Sequence, residues 1–245
     1  MCSATHCRCR DTTPAETAHS AARDRAAALA LRRRGEEVIG VDASPDIDVS
    51  RLAEAGVELH LGTEEERLLD GVETLIKSPG VPGEALLVAA ARVRGIPVWS
   101  ELELGSQLLG NPIVGVTGTN GKTTTSELLG VMLGAPVAGN VGRALCDLDG
   151  TIEPGEVVVC EVSSFQLEDI HEFKPHVAVL LNLEPDHLDR HGSMDAYRAA
   201  KLRIFENQDE ADAYGIELPP LKERFDRFDE GCEVIIGLLT QPPEE

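Results

Sequence analysis

From residue 21 onward, short apolar runs and helix-forming stretches take turns along the chain. "AARDRAAALALRRR" (21–34) is rich in alanine and leucine, which favour helix, and Gly35 ends it. "EEVIGVDAS" (36–44) predicts a short buried strand closing on Asp42, and "RLAEAGVELHLG" (51–62) a short helix and a second strand. "VETLIKSPGVP" (72–82) predicts a strand running into a Pro-Gly turn, and "GEALLVAAARVRG" (83–95) a helix with a glycine stop. "IPVWSELELGSQLLG" repeats strand and then helix. A fresh series starts at Asn111, with "NPIVGV" as strand and "KTTTSELLGVML" as helix. "GEVVVCEVSS" (155–164) closes on Glu161, "PHVAVLLNL" (175–183) on Asn182, and 193–208 has helical periodicity. Strands alternating with helices predict parallel sheets covered by helices, an α/β fold, with a division near 109–112.

The ends are different. Residues 1–20 have neither period and are expected to be irregular, and 209–245 are acidic, with paired prolines and "CEVIIGLL" as the clear strand candidate. Cys2, Cys7 and Cys9 lie near His6, but a C-x4-C-x-C spacing without a second ligand pair argues against zinc. At 245 residues and 42% hydrophobic, the chain has room for two modest domains. No apolar run is long enough to span a bilayer or to form a signal core, so the cytoplasm and no membrane partner are expected, for a chain acting as a monomer. The net charge of −21 repels nucleic acid, and any phosphate-bearing ligand would need a local cationic device.

"VGVTGTNGKTTTSELLGVML" (114–133) supplies that device. A strand feeds the loop Thr117–Gly121, which opens directly into a helix, so backbone N–H groups converge beside the positive end of the helix dipole. Gly118, Thr119, Asn120, Gly121, Lys122, Thr123 and Thr124 are the candidate ATP-binding residues, with Lys122 reaching the terminal phosphates and Thr123 holding Mg²⁺. The strict G-x-x-x-x-G-K-[ST] pattern would place glycine at 116, where this chain has valine. Glu161, at the carboxyl end of a buried strand, is the candidate carboxylate for the same ion. "LNLEPDHLDRHG" places Asp186, His187, Asp189 and His191 in one loop, with His187 the first candidate for a metal or phosphate contact. Lys201 falls on the apolar stripe formed by Met194, Tyr197, Ile204 and Phe205. Such a lysine either snorkels to water or points inward with its charge altered.

Together, "GTNGKTTT", "EVSSFQLE" and "DHLDRHGSMDAYRAAKLRIFENQ" resemble the Mur ligase family of peptidoglycan synthesis, in particular its D-glutamate-adding branch. "VDAS" and "KSPGVP" look like the family's uridine-diphosphate-site segments, and the resemblance covers roughly residues 20–208. It implies a Rossmann-like UDP-binding domain over 21–110, then a partial P-loop-type parallel-sheet ATPase domain over 111–208. The implied reaction joins D-glutamate to UDP-N-acetylmuramoyl-L-alanine through an acyl phosphate, with ATP as cosubstrate and Mg²⁺ as cofactor. By resemblance, Lys122, His187 and Lys201 are catalytic, and Thr123, Glu161, His187 and Lys201 surround metal, Lys201 as a carbamate. Asp42, Ser78, Pro79, Gly80, Asn140 and His187 are the implied substrate contacts.

Family members begin with a strand and a glycine turn, and "MCSATHCRCRDTTPAETAHS" supplies neither; they also continue through an H-N-x-x-N segment into a third domain. The chain is therefore expected to be truncated at both ends, with little or no turnover alone. The alternatives are another Mur or folylpolyglutamate-type ligase, against which "SSFQLE" argues, and an inactive ATP·Mg-binding remnant.

Overall fold

The structure, a computed structural model, describes residues 2–5 and 14–207. The acidic segment from 208 and the His6, Cys7, Cys9 group lie outside the described residues.

The first sheet has five parallel strands: β1 (Cys2–Thr5), β2 (Ile39–Asp42), β3 (Glu58–Leu61), β4 (Thr74–Lys77) and β5 (Val98–Ser100), in the order β3-β2-β1-β4-β5. Its helices are α1 (Pro14–Arg33), α2 (Ser50–Glu54), α3 (Leu86–Val93) and α4 (Glu101–Leu109). Two expectations are corrected here. The stretch 1–20 contains a strand at Cys2–Thr5, and α1 begins at Pro14 rather than Ala21. "CSAT" is too short to show a period, and its place comes from neighbours on both sides. Ala4 aligns with Gly40 of β2 and with Ile76 of β4, so β1 is central and a first strand is present. Proline at the first helical position is well suited to open α1, because its missing N–H has no helical partner there in any case.

The second sheet contains β6 (Ile113–Thr117), β7 (Val137–Gly139), β8 (Val158–Glu161) and β9 (Val177–Leu180), all parallel, in the order β7-β8-β6-β9. With it come α5 (Lys122–Leu133), the short α6 (Ser164–Leu167) and α7 (Leu188–His191), and α8 (Met194–Leu202). The helix expected over 193–208 ends at Leu202 and tightens into a 3₁₀ turn at Arg203–Phe205.

The chain passes from one sheet to the other between α4 and β6, and α4 ties the two together. Buried Glu103 accepts the backbone N–H groups of His171 (2.8 Å), Glu172 (3.0 Å) and Phe173 (2.9 Å). Gly105 is needed at this crossing: a Cβ there would lie 2.8 Å from that of Leu145. One core cluster joins α1 residues Ala27, Ala30 and Leu31 to Ile76 of β4. Another collects Ile113, Val158, Leu167, Phe173 and Ile204 around the second sheet. Each sheet thus has its own packed interior beneath the loops that follow its strands.

Candidate active site

The loop after β6 is held from behind before any ligand is considered. Asn182, just past β9, accepts the N–H groups of Thr119 (3.1 Å) and Asn120 (2.8 Å) on its side-chain oxygen and donates to the Asn120 carbonyl (3.1 Å). The Thr119 hydroxyl meets the Tyr197 hydroxyl at 3.0 Å and accepts the Glu184 N–H at 2.9 Å. Gly118 has φ 150°, and a Cβ there would sit 3.0 Å from that of Leu181, so the loop can lie this close to β9 only without a side chain. Gly121, at φ 81°, turns the chain into α5, whose start has no side-chain cap and whose first turn has no acidic residue. Its orphan N–H groups and dipole therefore favour an anion.

Around this loop the predicted residues Thr123, Glu161 and Asn140 meet. The Thr123 hydroxyl donates to one Glu161 oxygen (2.8 Å), and the Asn140 amide donates to the other (3.0 Å). Glu161 is buried and sits level with Val116 of β6 and Gly139 of β7. Gly139 is obligatory there, since a Cβ would lie 2.3 Å from the Glu161 carbonyl oxygen. Lys122 folds back to donate to the Thr119 carbonyl (2.8 Å), while Thr124 is exposed.

Lys201 points inward, which resolves the alternative left by its place on the apolar stripe. It is 2% exposed, donates to the Gly118 carbonyl (2.8 Å) and lies 4.9 Å from the centre of the Tyr197 ring. Burial, reinforced by the Lys122 charge and opposed by Asp186 and Glu161, lowers its pKa to about 7. A large fraction is then an uncharged, nucleophilic amine near neutrality.

His187 stands at the start of α7, on the same carboxyl edge of the second sheet. It packs on Phe165 (ring centres 4.9 Å apart), and its Nε2 is 3.5 Å from Asp186. His191 stacks on the same phenyl ring and bonds the Ser164 hydroxyl (3.0 Å); burial holds its imidazole below the usual pKa.

The second predicted group lies on the first sheet. Ser78–Gly80 follow β4 where strand order reverses beside β1, the kind of crevice in which α/β sheets take ligands. Asp42 accepts the Ser44 N–H (2.7 Å) and lines a shallow hollow with Asp24, Ile47, Leu52 and Leu61. The two groups are joined by Arg190, which donates to the Val81 carbonyl (2.8 Å) and, at 3.5 Å, to that of Gly80. Sequence reasoning missed Arg190, Phe165 and the anchoring roles of Asn182 and Tyr197. A carboxamide closing β9, across from the glycine loop, was the available signal for Asn182.

Residues 24–111 match the Mur ligase family catalytic domain, and residues 116–218 the Mur ligase middle domain. The chain belongs to the Mur ligase family. The middle-domain match reaches residue 218, beyond the point at 208 where the sequence resemblance was expected to stop. Relatives include the UDP-N-acetylmuramoylalanine–D-glutamate ligase of Pelotomaculum thermopropionicum, 45% identical over 74% of this chain and 42% of that protein. The ligases of the same name from Anaeromyxobacter dehalogenans (43% identical; 78% and 41%) and Salinibacter ruber (45%; 77% and 44%) are similar too. This Mur ligase chain thus spans less than half the length of the curated relatives it matches. A crystal structure of UDP-N-acetylmuramate:L-alanyl-gamma-D-glutamyl-meso-diaminopimelate ligase from Neisseria meningitides aligns with 85% of this chain and 68% of its own. Its TM-score is 0.51 and its identity 20%, a likeness that shows the fold.

Proposed function

We propose that this chain carries the nucleotide- and precursor-binding part of an ATP-dependent ligase that joins D-glutamate to UDP-N-acetylmuramoyl-L-alanine. The carrying observation is the Thr123–Glu161–Asn140 arrangement at the uncapped start of α5, with Lys122 and the inward Lys201 beside the same loop. The names of the relatives support the choice of substrates.

In this reading the loop N–H groups and Lys122 bind the triphosphate of ATP, and Asp42 with Ser78, Pro79 and Gly80 binds the uridine diphosphate. Asn140 and His187 orient the muramoyl-alanine end. A carboxylate oxygen of the precursor attacks the γ-phosphorus as its bond to the ADP oxygen breaks, giving an acyl phosphate. The D-glutamate amine then attacks the acyl carbon, phosphate leaves, and the amine loses a proton. Lys122, positioned before the reaction, offsets charge on the transferred group.

The donor set fits Mg²⁺, a hard cation that takes oxygen ligands: Thr123 Oγ1 and the Glu161 carboxylate would hold it, with His187 and Lys201 nearby in the reading. Among the described residues no three His, Cys, Asp or Glu side chains form a cage, in keeping with an ion that keeps water and phosphate oxygens as ligands. When bound, the ion supplies positive charge beside the transferring phosphoryl group. The lowered pKa of Lys201 supports its carbamylation: the neutral amine bonds to the carbon of CO₂ and releases a proton, leaving an anion.

Titration of the chain with an ATP analogue and Mg²⁺ tests the nucleotide half. Glu161→Ala is expected to weaken Mg²⁺-dependent binding at least about tenfold, the loss of one charge-assisted contact. Unchanged binding in that variant overturns the assignment. Product formation with all substrates tests the ligase half, and binding without product leaves nucleotide binding alone. ¹³C-bicarbonate should give a carbamate resonance that disappears in Lys201→Met.

A further inference from the structure

His187 is the one non-glycine among the described residues with positive φ (49°, ψ 33°). That backbone state is uncommon without glycine and persists where surrounding contacts fix it. The following α7 is a single turn, too short to hold the residue by itself. The His187 N–H donates to Asp186 (2.9 Å), and a further set of contacts runs through the ring of Phe165 and through Arg190. Its guanidinium donates to the carbonyls of Gly80 (3.5 Å) and Val81 (2.8 Å), pairs with Glu168 (3.4 Å), and lies 4.9 Å from the centre of the Phe165 ring. Phe165 is the ring against which the His187 imidazole packs.

We infer that Arg190 is a positioning residue: it clamps the turn 78–81 to the segment 187–191 and so sets the place of the His187 imidazole. The inference rests on the reading of His187 as a site residue. It has a mechanical consequence, because a ligand settling on Ser78–Gly80 displaces the carbonyls that Arg190 grips and is felt at His187.

The surrounding scaffold has other fastenings. Arg203 donates to the carbonyls of Leu167, Glu168 and Ile170 at the end of α6. Asp169 is held by Lys77 (2.9 Å) and Arg92 (2.9 Å). Removing Arg190 therefore frees the His187 segment while α6 stays in place. Lysine is a poor replacement, since one ammonium on a flexible stem does not reproduce a planar fork facing two carbonyls and a carboxylate.

The test uses the full chain with ¹³C-labelled histidine rings, as wild type, Arg190→Met and Arg190→Lys, with UDP-N-acetylmuramoyl-L-alanine as probe. Both variants should move the His187 and His191 ring signals and leave those of His60 and His171 in place. The probe should shift the His187 signal in the wild type and bind about tenfold more weakly to both variants, within the usual range of coupling between sites. Unmoved His187 signals in the variants, or an unaltered response to the probe, would overturn the inference. If Arg190→Met disturbs all the histidines by unfolding, Arg190→Lys at wild-type melting temperature decides in the same terms. Failure of the probe to bind the wild type would count against the ligase reading, and the ring signals without probe would still judge the clamp.

Discussion

Among the described residues two lysines lie deep, and their surroundings treat them differently. Lys77, at the end of β4, is 1% exposed and faces Asp169 at 2.9 Å and Glu168 at 3.9 Å. Lys201, on α8, is 2% exposed and has a carbonyl, an aromatic face and the Lys122 charge for company. The first faces two carboxylates directly. The second has its pKa lowered to about 7, mainly by burial. What separates the two is direct pairing: Asp169 stands 2.9 Å from Lys77 Nζ, whereas the charges of Asp186 and Glu161 oppose the effect of burial on Lys201 without offsetting it.

The comparison breaks most visibly at Asp169. Asp169→Ala leaves Lys77 buried without its nearest counter-charge, and should lower unfolding free energy by about 3–5 kcal/mol in urea titrations. A loss below about 1 kcal/mol would mean that Lys77 is solvated or carried by Glu168 alone.

Lys201→Met should act through pH. The folded-state pKa of Lys201, about 7, lies below its ordinary 10.5, so the unfolded chain binds the extra proton between these values. Stability contributed by this site therefore rises with pH across that window, by roughly 1 kcal/mol per pH unit, and is flat below about 7. The methionine variant should lack that slope. Equal pH dependence in both proteins would show that Lys201 keeps its proton.

The smallest effect sharpens the contrast from outside. Asp70 pairs with Arg94 at 2.8 Å, as close as Asp169 to Lys77, but its side chain is 73% exposed. Asp70→Asn should change stability by less than about 0.5 kcal/mol, within the range for surface pairs. A larger loss would make distance, and not burial, the controlling variable.

Much of this was legible in the sequence because local signals agreed with tertiary demand. Apolar runs ended where strands end, at Asp42 and Glu161, and the glycine loop lay between a strand and a helix as its composition required. Thr123 and Glu161 were expected around one ion and Asn140 was named apart from them, yet the meeting of all three at one carboxylate depends on the register of β6, β7 and β8, which no local pattern specifies. The strand at Cys2–Thr5 was hidden for the same reason: four small residues show no period, and their order comes from partners far along the chain. Arg190 was not singled out, since its grip on Gly80 and Val81 spans about 110 residues.

Every strand pairing among the described residues is parallel, and this bears on how the molecule assembles. No adjacent pair can zip up through a hairpin, so each contact waits for a long loop to close. Assembly is correspondingly slow, and half-made sheets present bare edges to other copies. Yield on dilution from denaturant should fall as protein concentration rises.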